Sequence, residues 1–158
     1  MFFSLEKITL DLKGIHDYQQ NRSPYLLIDY ANEVIPGKSA KGYKDLVNED
    51  WWVEVHFPND PNMPGLLQVE AIVQLGALMV TTLPGNKGKV VYLVSANNLK
   101  FRKKVVPGDR LLLQTELISW RRGLGKAQGT GYVKDKMACS VEFEFVMPSI
   151  LSDFHVQS

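Results

Sequence analysis

His56 and Glu70 bracket the stretch His56-Phe57-Pro58-Asn59-Asp60-Pro61-Asn62-Met63-Pro64-Gly65-Leu66-Leu67-Gln68-Val69-Glu70. These residues supply the three group types that elimination beside a carbonyl requires. An imidazole is a base of neutral-pH strength and can take the proton next to the carbonyl. A protonated carboxyl can hand a proton to a departing hydroxyl. A backbone N–H at a helix start, with the helix dipole behind it, can hold negative charge on the carbonyl oxygen. Gly65 stands where that helix start is expected.

The spacing also matters. Pro58, Pro61 and Pro64 fix φ and stiffen the loop that carries His56. Glu70 lies early in an otherwise apolar run, where a carboxylate is costly unless paired, protonated or beside a cavity. Desolvation would raise its pKa and the helix dipole would lower it; the sequence leaves that balance open. Gln74 follows one turn later on the same face, making a short polar stripe. Ala71 and Gly76 are small enough to leave room for a ligand or a second helix. Plainer roles stand beside these: His56 as a surface residue, Glu70 paired with an arginine or an interface group, and Gln74 bonded to the loop or across a dimer.

The element that must hold Gly65, Glu70 and Gln74 is a helix over Leu66 to Leu83, closed by Pro84-Gly85. It is apolar on nearly every side, which is the pattern of a helix buried in a core, and would be about 27 Å long. It is interrupted too often by polar residues to span a membrane. Before it, Tyr25 to Ile35 reads as a strand, Pro36-Gly37 as a turn and Lys38 to Val47 as its hairpin partner. A short helix is expected around Asp17 to Gln20. After it, strands are expected at Lys89–Val94, Asn98–Phe101, Arg110–Trp120, Lys126–Val133 and Met137–Met147. Turns fall at Pro107-Gly108-Asp109 and Gly123–Gly125. Val141-Glu142-Phe143-Glu144-Phe145 alternates as a strand with one wet face does. The order is α+β: an antiparallel sheet wrapped around one long buried helix, in a single domain over residues 1–158.

The 158 residues are 45% hydrophobic and 22% charged, with 18 basic against 17 acidic residues. A net charge of +1 predicts no bulk attraction to nucleic acid or to a membrane. The single cysteine, Cys139, excludes an intrachain disulfide and fits a reducing compartment. The start, Met1-Phe2-Phe3-Ser4-Leu5-Glu6-Lys7, lacks the layout of a signal peptide, so a soluble cytoplasmic protein is expected. No Cys/His cluster suggests a metal, and no glycine-rich phosphate loop suggests a cofactor. His16 and His155 have no partner pattern.

The stretch resembles the active-site signature of the 3-hydroxyacyl-[acyl-carrier-protein] dehydratases of type II fatty acid synthesis, which are hotdog-fold enzymes. The family pattern runs roughly GHFPG-x-P-x-MPG-x-x-x-x-E-A-x-x-Q. This chain keeps His56-Phe57-Pro58, Pro61, Met63-Pro64-Gly65, Glu70-Ala71 and Gln74. Glutamate at position 70 is similar to the broad-specificity branch; the dehydratase–isomerase branch carries aspartate there. Arg22-Ser23-Pro24-Tyr25-Leu26-Leu27-Ile28-Asp29 resembles RYPFLLVD, and Phe101-Arg102-Lys103-Lys104-Val105-Val106-Pro107-Gly108-Asp109 resembles FRRPVVPGD. Pro36-Gly37-Lys38 and Arg121-Arg122-Gly123 also match family turns. The likeness covers roughly residues 20 to 147. Val55 and Asn59 stand where the family has glycine, a residue that allows unusual backbone angles or close substrate approach.

The resemblance implies a lyase that removes water from 3-hydroxyacyl thioesters carried by acyl carrier protein, or on acyl-CoA, without a cofactor. It implies His56 and Glu70 as the catalytic pair, Gly65 as the thioester-oxygen site, and Gln74, Pro58 and Met63 in support. It also implies a homodimer whose sites combine the histidine of one subunit with the glutamate of the other, further assembly into a hexamer, and an apolar acyl tunnel. Arg102, Lys103, Lys104, Arg121 and Arg122 would then form a basic rim for the carrier protein; a charged, solvated strand edge is the other reading of those residues. Trp51 and Trp52 either line the tunnel or pack a core or interface. The competing functions are a hotdog thioesterase, which would not need the HFP and MPG elements, and a non-catalytic acyl-thioester binder.

Overall fold

Leu67, Ala71, Ile72, Leu75, Leu78 and Met79 give the central helix more apolar surface than one stripe can carry, so it must be covered on several sides. The computed structural model describes residues 6–155, with side chains as far as Leu151; Met1–Leu5, and with them part of the N-terminal reading, lie outside the described residues. The first short elements are β1 (Ile8–Leu10) and α1 (Leu12–Tyr18). The hairpin β2 (Tyr30–Ile35) and β3 (Ser39–Asp45) follows, then the central helix α2 (Gly65–Thr81). Four long strands come after it: β4 (Tyr92–Phe101), β5 (Arg110–Arg121), β6 (Leu124–Val133) and β7 (Lys136–Val146). A last helix, α3, spans Pro148–His155.

The strands form one antiparallel seven-stranded sheet in the order β1-β2-β3-β5-β6-β7-β4. It curls around α2, which packs on β2, β3, β5, β6 and β7. This is the hotdog arrangement. In β7, Val141, Phe143 and Phe145 point into the core while Glu142 and Glu144 face out, as the alternation requires. Burying each of the two phenylalanines contributes roughly 1.5–3 kcal/mol. A Cβ on Gly129 of β6 would lie 2.2 Å from Cγ2 of Ile72; only glycine lets the helix settle that close to the sheet. Among the described residues, no helix is long and apolar enough to cross a membrane.

Several expectations are corrected. The strand read over Tyr25 to Ile35 begins only at Tyr30. Leu26, Leu27 and Ile28 are buried, but the Leu27 N–H donates to a side chain of α2 rather than to a ladder. Asp29 then anchors this segment to β3: its carboxylate accepts from the Asp45 N–H at 2.7 Å and from Lys44 Nζ at 3.0 Å. Asp45 in turn holds Arg110, whose guanidinium lies 3.9 Å over the Tyr43 ring. The helix around Asp17 to Gln20 lies earlier, at Leu12–Tyr18. The two strands read at Lys89–Val94 and Asn98–Phe101 are one strand, irregular near Asn98, which adopts φ 53° and donates to Glu142. Asparagine tolerates that left-handed backbone better than most residues.

Strand β4 forms one edge of the sheet, next to β7 alone. Tyr92, Leu93, Val94 and Phe101 are all exposed there. A long, apolar, unpaired strand edge is a surface that natural chains cover.

Candidate active site

The loop from Trp51 to Pro64 is built of turns that aim His56. Trp52 is buried and its carbonyl accepts the His56 N–H at 2.9 Å. Phe57 and Asp60 exchange two backbone hydrogen bonds, and Asn62 N–H donates to the His56 carbonyl. The His56 ring stacks on Phe57, and its Nδ1 lies 3.0 Å from the Asn62 carbonyl oxygen. A carbonyl only accepts, so Nδ1 carries the proton and the neutral ring keeps its lone pair on Nε2. Asn62 is thus a positioning residue that sequence reading missed, although it lies inside the quoted stretch.

Trp52 resolves toward core packing, whereas Trp51 is half-exposed. Pro58 is exposed in the turn. Met63 is 1% exposed and packs in the core, beside the start of α2. Its backbone joins the loop to the frame: the N–H donates to Val105 at 2.7 Å, and the carbonyl accepts from Gln68 Nε2. Val55 and Asn59 are not among the described non-glycine residues at positive φ, which are Asn98, Arg122 and Lys134. Neither position needs glycine for its backbone.

Gly65 opens α2 behind Pro64, with no side chain capping the helix. An N–H in the first turn has no partner inside its own helix, and it points where the dipole favours negative charge. A Cβ at this position would lie 2.7 Å from the Phe101 ring, so glycine is required by the close approach of β4. Gly65, Leu66, Met63 and Gln68 line a cavity of about 540 Å³ together with Phe101, Arg102 and Lys103.

Glu70 is half-buried on α2 and accepts a hydrogen bond from Gln74 Nε2 at 2.9 Å. The Gln74 amide has only one workable orientation. Its Oε1 takes the Leu27 N–H at 2.8 Å, and its Nε2 also donates to the Tyr25 carbonyl at 2.8 Å. The –NH₂ group therefore faces Glu70. Burial holds the Glu70 carboxyl above the usual glutamate range, and the Gln74 donor offsets this only in part. Desolvation thus outweighs the Gln74 hydrogen bond. Tyr25, near enough for the Glu70 charge to raise its own pKa after desolvation, is a further neighbour that the sequence did not mark.

The raised value has a consequence for stability. The folded chain keeps the Glu70 proton to higher pH than the unfolded one, so this group favours folding at low pH. That contribution is lost as pH rises from the ordinary value of 4.5 through the raised one. Glutamine keeps an acceptor for Gln74 and cannot ionise. Glu70→Gln is therefore expected to melt a few degrees higher than wild type at neutral pH, with the gap closing below pH 4.5; melting curves across that range check it.

Gly65 and Glu70 do not open on one space within a chain. At about 100° per residue, five positions turn Glu70 about 140° around α2 from Gly65. The cavity that Gly65 lines does not include Glu70. Glu70 opens instead on a cavity of about 310 Å³, lined also by Gln19, Ala77, Thr81 and Lys89 to Leu93. The basic residues divide as well. Arg102, Lys103 and Lys104 follow β4 at its Phe101 end, and Lys104 pairs with Asp60. Arg121 and Arg122 lie at the other end, where Tyr92 and Leu124 both pair with Val146. The ten-residue strand puts the clusters about 30 Å apart. Arg122 takes φ 53° beside Gly123 at φ 82°, the backbone of a two-residue hairpin turn. Cys139 is buried and burial pushes its thiol up to about 11, a packing residue as read.

Residues 20–142 match the model of the FabA-like domain family. The chain is 40% identical over 138 residues to the 3-hydroxyacyl-[acyl-carrier-protein] dehydratase FabZ of Clostridium novyi (strain NT), spanning 86% of this chain and 97% of that one. It is 38% identical over 138 residues to the FabZ of Bacillus subtilis (strain 168), spanning 87% and 98%. Among solved structures it is similar to the dehydratase heterocomplex ApeI:P from Xenorhabdus doucetiae, with a TM-score of 0.74 and 12% identity over 85% of this chain and 90% of that one. A crystal structure of an uncharacterized protein from Pyrococcus horikoshii matches with a TM-score of 0.59 and 16% identity over 79% and 86%. At such identities these two structures speak for the fold alone.

Proposed function

This chain belongs to the FabA-like family and, within it, to the FabZ 3-hydroxyacyl-[acyl-carrier-protein] dehydratases, and on that premise we propose that it removes water from 3-hydroxyacyl thioesters to give trans-2-enoyl thioesters in fatty acid synthesis. It is a hydro-lyase. The observation that supports the assignment of roles is the pairing of an imidazole whose Nδ1 is turned to the Asn62 carbonyl, leaving Nε2 for the substrate, with a carboxyl whose proton burial holds more tightly than usual. His56 Nε2 takes the proton from the carbon beside the thioester carbonyl. The C–H electron pair forms the new double bond as the C–O bond breaks, and Glu70 protonates the departing hydroxyl to release water. The Gly65 N–H holds the charge that gathers on the thioester oxygen. Proton transfer from the imidazolium to the carboxylate resets the pair. Gln74 and Asn62 hold the acid and the base in place.

We further propose that the working unit is a homodimer with shared sites. Two features support this: the separation of Gly65 and Glu70 around α2, and the exposed apolar edge of β4. Antiparallel pairing of two β4 edges about a two-fold axis is the closed, self-complementary solution. It would bring the Phe101 end of one chain to the Tyr92 end of the other. Arg102 and Lys103 would then lie beside the partner's Arg121 and Arg122, forming one basic rim for an acidic carrier protein. Assembly of dimers into a hexamer and a cytoplasmic location are part of the same reading.

The test is hydration of trans-2-enoyl thioesters, followed as loss of the conjugated absorbance. Wild type is expected to act on enoyl groups borne by acyl carrier protein. An Arg102→Glu, Lys103→Glu variant is expected to raise KM for that substrate by roughly ten-fold or more, leaving kcat and a small N-acetylcysteamine thioester nearly unaffected. A folded wild type that hydrates no enoyl thioester but releases free thiol would instead place the protein among hotdog thioesterases. Binding without turnover would leave it a carrier of acyl thioesters.

A further inference from the structure

The cavity below Glu70 has an unusual floor. Glu70, Ala77 and Thr81 share one face of α2, since seven and eleven positions bring a helix back to within about 20° of the starting direction. Glu70 to Thr81 is about 16 Å along the axis, and all three residues line the same cavity. An acyl chain whose reacting end lies at Glu70 would run down this face toward Thr81. An apolar chain should meet an apolar floor there. Instead, Thr81 is fully buried with no hydrogen-bond partner for its hydroxyl, and Gln19 is 3% exposed with neither the oxygen nor the nitrogen of its amide partnered. Gln19 lines the same cavity from the end of α1. Each such orphan costs about 1–3 kcal/mol, so the fold keeps three such atoms, on two residues of one cavity, where leucine and valine would be cheaper.

We propose that Gln19 and Thr81 are specificity residues that receive a neutral, hydrogen-bonding oxygen group on the far end of the acyl chain, so that the preferred substrate is an acyl thioester bearing a distal hydroxyl or ester oxygen rather than a plain alkyl tail. This rests on the dehydratase reading and on the path from Glu70. The group is neutral because the two side chains are neutral and carry both donors and acceptors. A site with buried polar groups discriminates against an analogue that leaves them unpaired.

The experiment compares trans-2-enoyl pantetheine thioesters of equal length that end in a methyl or a hydroxyl, over a series of lengths. Wild type is expected to favour the hydroxyl-ended chain in kcat/KM by about ten-fold at the length that reaches Thr81, the effect of one net hydrogen bond, and to show no preference among shorter chains. Thr81→Val with Gln19→Leu is expected to abolish or reverse the preference, mainly by improving the methyl-ended substrate; Thr81→Ser is expected to retain it. Thr81→Val alone removes an unpartnered hydroxyl without a change of shape, so its melting temperature should rise rather than fall, and it carries the test if the double variant does not fold. A ratio near one at every length, or a ratio that the variants leave unchanged because water fills the floor, overturns the proposal. Should wild type turn over neither substrate, the dehydratase reading fails, and the same preference is then read from the affinities of the two intact thioesters.

Discussion

His56→Ala is expected to slow hydration of an enoyl thioester by roughly 10²–10⁴-fold, and Glu70→Gln by a similar factor. The two losses differ in kind. His56→Ala removes the imidazole Nε2, the ring nitrogen left free by the Nδ1 contact with Asn62. Glu70→Gln keeps the shape and the hydrogen bond with Gln74 but cannot give up a proton. Both should leave KM little changed, because neither group is asked to bind the ground state more tightly than the transition state. The same Glu70→Gln protein should melt higher than wild type at neutral pH, so a loss of activity cannot be put down to unfolding. An active Glu70→Gln variant would remove Glu70 from the chemistry and leave the carboxyl as a buried group held by Gln74.

The second large effect appears when the two inactive chains are mixed. If each site combines His56 of one chain with Glu70 of the other, co-expression of His56→Ala and Glu70→Gln chains gives half mixed dimers. Each mixed dimer has one site with both lesions and one with neither. About a quarter of wild-type activity should return, from a background of roughly 10⁻² to 10⁻⁴. Sites contained within one chain would give no recovery, because every chain carries a lesion. The measurement needs only tagged co-purification and the absorbance assay.

Much of the fold was legible because its signals are local. The apolar run after Gly65 could only be a buried helix, and the alternation of Val141 to Phe145 fixed which side of β7 faces it. What the sequence misplaced depends on distant partners. Tyr25 to Asp29 has strand-forming residues, but its N–H at Leu27 is claimed by Gln74, 47 residues away. Asn98 looks like a break and is an irregularity within one strand. The residue types of the site were readable from the stretch between His56 and Glu70. Their geometry was not: Met63 turns inward, the basic clusters sit at opposite ends of β4, and the balance on Glu70 depends on how deeply α2 is covered. The unpartnered Gln19 and Thr81 had no sequence signal, since a polar residue is informative only once its surroundings are known to lack a partner.

The turn of about 140° between Gly65 and Glu70 also sets how the protein would respond to damage. If each site is shared as proposed, a chain alone would carry only half of one, and output would follow the supply of pairs rather than of chains. In the dilute limit, where most chains are single, a lesion that leaves half of them competent leaves about a quarter of the pairs, by mass action. Mild defects anywhere in the fold would then register more steeply in lipid output than in the amount of folded protein, and an extra copy of the gene would compensate more than its share.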